Sequence, residues 1–193
     1  AITRGCVKVT KIIPEHIAST LDAFREMGCK VDVGNDWAQV DARGLELKPI
    51  SISTLPFPGF PTDMQAPLMA TLVSVPGNSL IQDTVYNDRF KHVAELQRMG
   101  ANIQVHRECL GSIPCRFGQR NFLHSAVISG PVQLKGAEID IPDLRGGFSH
   151  LIAALAAEGT SRVTGVELIN RGYEHFLDKL EGLGADFDVT DGK

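Results

Sequence analysis

Three segments of the chain carry apolar residues at helical spacing, and each ends at a glycine: Leu21, Phe24 and Met27 before Gly28, Val93, Leu96 and Met99 before Gly100, Leu177, Leu180 and Leu183 before Gly184. Steps of three on a 3.6-residue helix keep such side chains on one stripe, so each segment is predicted to be an amphipathic helix closed by a C′ glycine. Strict alternation follows each glycine, at Cys29, Val31 and Val33, at Ala101, Ile103 and Val105, and at Ala185, Phe187 and Val189. That pattern predicts strands with one buried face. Residues 68–73 and 151–157 are apolar on nearly every side and predict largely buried helices. Further strands are expected at 37–41, 47–53, 122–129 and 132–141.

A second landmark sets the register. Gly5, Gly77 and Gly159 precede the three helix-closing glycines at nearly constant spacing, and the interval from Gly5 to Gly28 equals that from Gly77 to Gly100. One unit therefore reads buried helix, strand, amphipathic helix, strand and further strands, which predicts an α/β domain with buried helices inside layers of sheet. The first unit has no buried helix before Gly5. The expectation is a piece of a longer chain that starts within a repeat, with the missing helix upstream and apolar surface left uncovered. The interval between the second and third units is longer, and its excess falls at 107–131, where Gly111, Pro114, Gly118 and Gly130 mark turns. An inserted hairpin is expected there.

Composition narrows the classes. The 193 residues carry 19 Lys+Arg against 23 Asp+Glu, a net charge of −4, and 43% hydrophobic residues, as in an ordinary globular domain. A chain of this length buries roughly 70% of its unfolded surface and needs no disulfide or structural metal to hold a core. No Lys/Arg cluster supplies the basic stripe that nucleic-acid phosphates require. No apolar run approaches the roughly 20 residues of a membrane span, so no membrane association is expected and cytoplasm is the expected address. The four cysteines contain no CxxC pair and are read as isolated core thiols. No metal or cofactor is expected.

Loops entering the helices are where a repeat fold gathers its chemistry. Asp63 precedes Gly77 at nearly the spacing at which Asp143 precedes Gly159, and Arg89 and Arg171 follow those same two glycines at equal spacing. With Arg145, these groups can supply a general base and forks for phosphate or carboxylate. An aspartate at a helix start is most often an N-cap, however, and an arginine there is often a surface charge. His92, His150 and His175 read as surface or packing residues, and HExxH, GxGxxG, GxxxxGK and GxSxG are all absent.

Five motifs in order resemble the UDP-N-acetylglucosamine enolpyruvyl transferases: Phe60-Pro61-Thr62-Asp63-Met64-Gln65-Ala66, Asp83-Thr84-Val85-Tyr86-Asn87-Asp88-Arg89-Phe90, Pro142-Asp143-Leu144-Arg145, Ala156-Ala157-Glu158-Gly159 and Arg171-Gly172-Tyr173-Glu174. The likeness covers nearly all of the chain outside 107–131. It implies an inside-out α/β barrel of three related helix-and-sheet units, in which residues 1–193 form one domain, the C-terminal half of a two-domain enzyme. It further implies transfer of the enolpyruvyl group of phosphoenolpyruvate to the 3-hydroxyl of UDP-N-acetylglucosamine, with the active site shared with an N-terminal domain. Asp63 then resembles the carboxylate at the sugar 3-hydroxyl, the candidate base. Val85 resembles the residue whose backbone meets the uridine-sugar substrate, with Tyr86 beside it. Asp143, Arg145 and Arg171 resemble the charged set at the phosphoenolpyruvate end.

The sequence departs from that family in places. Pro142 stands where Thr is usual, Gly146-Gly147 where small residues follow the arginine, and Asn170 where Asp precedes Arg-Gly-Tyr. The cysteine loop and the Lys-Asn pair that grip phosphoenolpyruvate have no counterpart, so the chain alone is expected to be inactive. Two alternatives remain: the sister reaction on shikimate 3-phosphate, and a non-catalytic binding or regulatory paralogue. Pro67 lacks an N–H to donate within its helix, which implies that Asp63 sits in a turn before it.

Overall fold

Three runs of elements follow one another in the computed structural model, which describes residues 1–118, 120–141 and 143–190. The first is β1 (Cys6–Thr10), α1 (Ala18–Glu26), β2 (Lys30–Val33) and β3 (Trp37–Asp41). The second is β4 (Ser51–Ser53), α2 (Gln65–Leu72), β5 (Gly77–Gln82), α3 (Val93–Arg98), β6 (Asn102–His106) and β7 (Ser125–Gly130). The third is β8 (Glu138–Asp140), α4 (Leu144–Ala156), β9 (Arg162–Thr164), α5 (Glu167–Asn170) and α6 (Phe176–Gly182).

The strands form sheets in the orders β1-β3-β2, β4-β5-β7-β6 and β8-β9. In both β1-β3-β2 and β5-β7-β6 the neighbours are antiparallel. The pairs β4–β5 and β8–β9 are parallel, which requires a crossover, and α2 and α4 provide it. Every residue of α2 is buried, and Thr71 meets its one polar demand by donating to the Pro67 carbonyl at 3.1 Å. Pro67 lies in the first turn of α2, where a missing N–H costs no helical bond. Asp63 falls in a 3-10 turn, Thr62–Met64, just before the helix, as Pro67 implied.

The helix-closing glycines behave as expected. Gly28, Gly100 and Gly184 have φ of +94°, +101° and +87°, and the residue after each donates its N–H back into the helix, as in Cys29 to the Phe24 carbonyl at 2.9 Å. Leu21 and Met27 are buried, as are Val93, Leu96 and Met99. The third stripe is different, since Leu183 is exposed and residues 185–190 form no strand. β2 and β6 each pair with the strand that follows them, whereas no strand follows Ala185, Phe187 and Val189 among the described residues.

Other expectations are adjusted by hydrogen bonding. The strand expected at 47–53 shortens to β4, because Pro49 has no N–H for a ladder and Lys48 donates to the Met27 carbonyl instead. The strand expected at 132–141 shortens to β8, because Val132 and Lys135 donate to the carbonyls of Val73 and Met99. In place of a hairpin at 107–131, the described residues of 107–124 form turns, bends and irregular chain, and β7 is the middle strand of β5-β7-β6, the counterpart of β3. The extra length thus lies in the β6–β7 loop. Pro142 lies outside the described residues.

One face of β1-β3-β2 is apolar, with Val7, Val40 and Val31 in one cross-strand row and Val9, Ala38 and Val33 in the next. Val7, Val9 and Val33 are nevertheless exposed, so this face is only partly covered. Among the described residues no helix is long and apolar enough to cross a membrane.

Candidate active site

The entrances to α2 and α4 open onto one cleft of about 50 Å³, lined by Asp63, Gln65, Arg89, Lys91, His92, Asp143 and Arg145 among others. Asp63 is its centre. Its Oδ1 lies 3.3 Å from an Arg89 guanidinium nitrogen and 3.1 Å from one of Arg145. The carboxylate remains 52% exposed while Arg89 is only 13% exposed, so one guanidinium is anchored in the wall and the carboxylate faces out.

The two aspartates related by sequence spacing have separate roles. Asp143 caps α4, with its Oδ1 accepting from the backbone N–H of Arg145 and of Gly146, both at 2.8 Å. Asp63 makes no capping bond, because the intervening 3-10 turn carries it away from the first free N–H groups of α2. The N-cap reading therefore holds for one aspartate and fails for the other.

Val85 and Tyr86 are not among the residues lining the cleft, but Asp83, which sequence reasoning passed over, ties their turn to its edge. This carboxylate is fully buried. Its Oδ1 accepts from Thr54 Oγ1 at 2.9 Å and from the N–H groups of Val85 and Tyr86 at 3.0 and 2.9 Å, and its Oδ2 accepts from Thr62 Oγ1 at 2.5 Å. It ties the 85–86 turn to the residue beside Asp63. The Arg89 guanidinium lies over the Tyr86 ring at 4.4 Å, which closes the connection through a cation–π contact. A buried acid two residues before a predicted contact residue was the available signal.

Arg171 is not among the residues lining the cleft. It follows α5 and is exposed. Tyr173, two residues on, stacks on Phe148 with ring centroids 4.3 Å apart. Burial and then the negative charge of Asp63 push the Tyr173 hydroxyl above its ordinary pKa.

His92 and His150 are buried, while His175 is exposed and sits 3.3 Å from Asp178. His92 Nδ1 lies 3.1 Å from the Arg89 carbonyl, which can only accept, so Nδ1 carries the proton. Burial, with the neighbouring His150, holds the His92 pKa down to about 4. The ring is thus neutral near pH 7 and its Nε2 is an acceptor. That Nε2, Gln65 Nε2 and Arg89 Nε are buried polar atoms of the cleft lining without a partner among the described residues. Unpaired groups of this kind each cost roughly 1–3 kcal/mol, which a polar ligand or bound water relieves.

The model of the EPSP synthase (3-phosphoshikimate 1-carboxyvinyltransferase) family matches residues 1–180. The chain belongs to this family. It is 42% identical over 185 residues to UDP-N-acetylglucosamine 1-carboxyvinyltransferase 2 of Geobacillus kaustophilus, covering 96% of this chain and 39% of that protein. It is 43% identical over 185 residues to UDP-N-acetylglucosamine 1-carboxyvinyltransferase of Acinetobacter baylyi, covering 96% of this chain and 40% of that one. The chain thus spans about two fifths of the length of these curated relatives. Among solved structures, the enolpyruvyl transferase NikO from Streptomyces tendae aligns with a TM-score of 0.78 at 24% identity, over 94% of this chain and 39% of that one. An EPSP synthase from Acinetobacter baumannii aligns with a TM-score of 0.69 at 22% identity, over 97% and 40%. The α/β enolpyruvyl transferase fold of this family member follows.

Proposed function

We propose that this chain supplies one wall of the active site of a UDP-N-acetylglucosamine 1-carboxyvinyltransferase, which moves the enolpyruvyl group of phosphoenolpyruvate to the sugar 3-hydroxyl in the first committed step of peptidoglycan synthesis. The observation that carries this reading is the exposed Asp63 carboxylate held between Arg89 and Arg145. The alcohol must lose a proton as it attacks, and the anionic phosphate and carboxylate need fixed positive partners. Asp63 is the base, Arg145 and Arg171 meet the anion, and the Val85 backbone with Tyr86 meets the uridine-sugar. Positioning of the hydroxyl beside Asp63 supplies much of the effect.

A cleft of about 50 Å³ is far below the roughly 300–1,000 Å³ of an enclosing ligand pocket, which supports a site completed by another domain. In this reading residues 1–193 are one domain, the C-terminal half of the parent enzyme and an inside-out barrel of three units. The partner domain brings the Lys-Asn pair and cysteine loop, and Arg171 joins the site as the domains close. The half-covered Val7, Val9 and Val33 face supports an upstream helix for the first unit. The enzyme acts in the cytoplasm and needs no cofactor.

The test is turnover by the full-length protein, followed as phosphate release. Asp63→Asn should lower kcat by orders of magnitude with an unchanged melting temperature. Wild-type turnover in that variant would sink the base assignment. Product from shikimate 3-phosphate, and none from UDP-N-acetylglucosamine, would move the reading to the sister reaction that the family description names.

A further inference from the structure

The β6–β7 loop, described at residues 107–118 and 120–124, is a long departure from the pattern of the other runs, and it holds a cluster that the cleft does not use. Cys109 Sγ lies 3.0 Å from Cys115 Sγ and 3.3 Å from His124 Nε2, and the three donor atoms all lie within 4.8 Å of one another. The cysteines, expected from the sequence to be isolated core thiols, are instead partly exposed neighbours, while His124 is fully buried.

The histidine is set for coordination. Its Nδ1 is 2.9 Å from the Phe122 carbonyl, which can only accept, so Nδ1 carries the proton and Nε2 presents its lone pair to the sulfurs. A backbone carbonyl on the far ring nitrogen is the usual way a metal-binding imidazole is oriented. The ring is further fixed by Phe117, its centroid 6.0 Å away.

We propose that Cys109, Cys115 and His124 form a binding site for a thiophilic divalent cation, zinc by preference, with a fourth position open to water. Two thiolates and an imidazole suit zinc, with bonds of about 2.3 Å to sulfur and about 2.0–2.1 Å to nitrogen. A tetrahedral centre with those bonds separates its sulfurs by roughly 3.8 Å and sulfur from nitrogen by roughly 3.6 Å. The Cys109–His124 distance is already close, and two part-exposed thiols on an irregular loop need open by less than about 1 Å. Binding releases two protons to solvent, one from each thiol, and leaves the site electrically neutral.

The cation acts as a clip for a loop with no ladder of its own. The loop is docked by Gln82, whose side chain donates to the Ile113 carbonyl at 2.5 Å and accepts from Gly111 N–H at 2.8 Å. Arg116, next to Cys115, donates to the Val85 carbonyl. Fixing Cys115 therefore fixes the arginine that holds the 85–86 turn, although the metal site itself does not depend on the transferase reading.

The test is metal content and cobalt titration of the full-length protein, reduced and then freed of reductant. The expected result is one zinc per chain, and on cobalt substitution a thiolate-to-cobalt charge-transfer absorption. Cys115→Ser and His124→Asn should each weaken cobalt binding by about a hundredfold or more. The wild-type titration decides the question even if a variant fails to fold. Absence of stoichiometric metal in wild type, or cobalt affinity in both variants equal to that of wild type, would overturn the site. A Cys109–Cys115 disulfide found by mass spectrometry in protein isolated with zinc present would overturn it too.

Discussion

Asp83→Ala removes the one acceptor shared by Thr54 Oγ1, Thr62 Oγ1 and the N–H groups of Val85 and Tyr86. The 85–86 turn is near solvent, with Tyr86 exposed, so its two N–H groups can turn to water. Thr54 is fully buried, so its hydroxyl proton recovers no partner although its oxygen still accepts from Thr84 N–H, whereas Thr62 is half-buried on the cleft and can turn to water. One stranded group puts the loss at roughly 1–3 kcal/mol. That is a measurable part of the roughly 5–15 kcal/mol that holds a domain folded.

The matched variant is Asp83→Asn. It keeps an oxygen for the three donors on Oδ1, and the Thr62 hydroxyl can rotate to accept from the new amide. It forfeits only the assistance of charge, about 1–2 kcal/mol. Urea denaturation of both variants, with equal m-values, measures the pair. UDP-N-acetylglucosamine affinity in the full-length protein then reports whether the 85–86 turn has moved. A loss below about 1 kcal/mol for Asp83→Ala, or equal losses for Ala and Asn, would refute a hydrogen-bonded hub.

Two more outcomes follow from the cleft. His92 titrates near 4 when folded against an ordinary 6.5, so the folded state binds fewer protons; stability is level above pH 6.5 and falls as pH drops towards 4, by up to about 3 kcal/mol. His150 is lowered in the same direction, so His92→Asn should flatten this slope only in part, and urea midpoints at about pH 7.5 and about pH 5 that do not differ would contradict the assignment. At the start of α4, Asp143→Ala should cost about 1 kcal/mol and weaken phosphoenolpyruvate binding, whereas Asp143→Asn keeps a good cap and changes melting by only a few tenths of that. Equal melting temperatures for the two would contradict the capping role.

How far the sequence could be read depended on whether each signal was local. The stripes of α1 and α3, the closing glycines and the alternating strands are set by neighbours a few residues apart, and they formed as read. The third stripe and 185–190 carry the same local pattern, yet Leu183 is exposed and no strand forms, because a strand also needs a partner. β7 was misread as part of an insertion because its pairing with β5 and β6 crosses the whole loop. The Cys109, Cys115 and His124 group was likewise hidden, since His124 lies across the loop, and of Asp83's partners only Val85 and Tyr86 are local, while Thr54 and Thr62 lie across the fold.

Asp63 and Asp143, related by their spacing in the sequence, differ in what their carboxylates reach. Repeat spacing puts Asp63 and Asp143 at helix entrances but says nothing about the residues in between. Asp143 abuts α4, with φ −157° and ψ 165°, and its carboxylate is used up on the free N–H groups of that helix. Asp63 is followed by the remainder of a 3-10 turn before α2 begins, so its carboxylate is left to reach across to other elements. Because Asp143 accepts the Arg145 N–H, the cap fixes the backbone from which the Arg145 guanidinium extends to Asp63. A bond that looks purely structural at the start of α4 thus sets the position of a charge beside the carboxylate that precedes α2. The distinction between the capping aspartate and the proposed base is therefore one of reach, and here the cap fixes the backbone that gives Asp63 one of its two arginine partners.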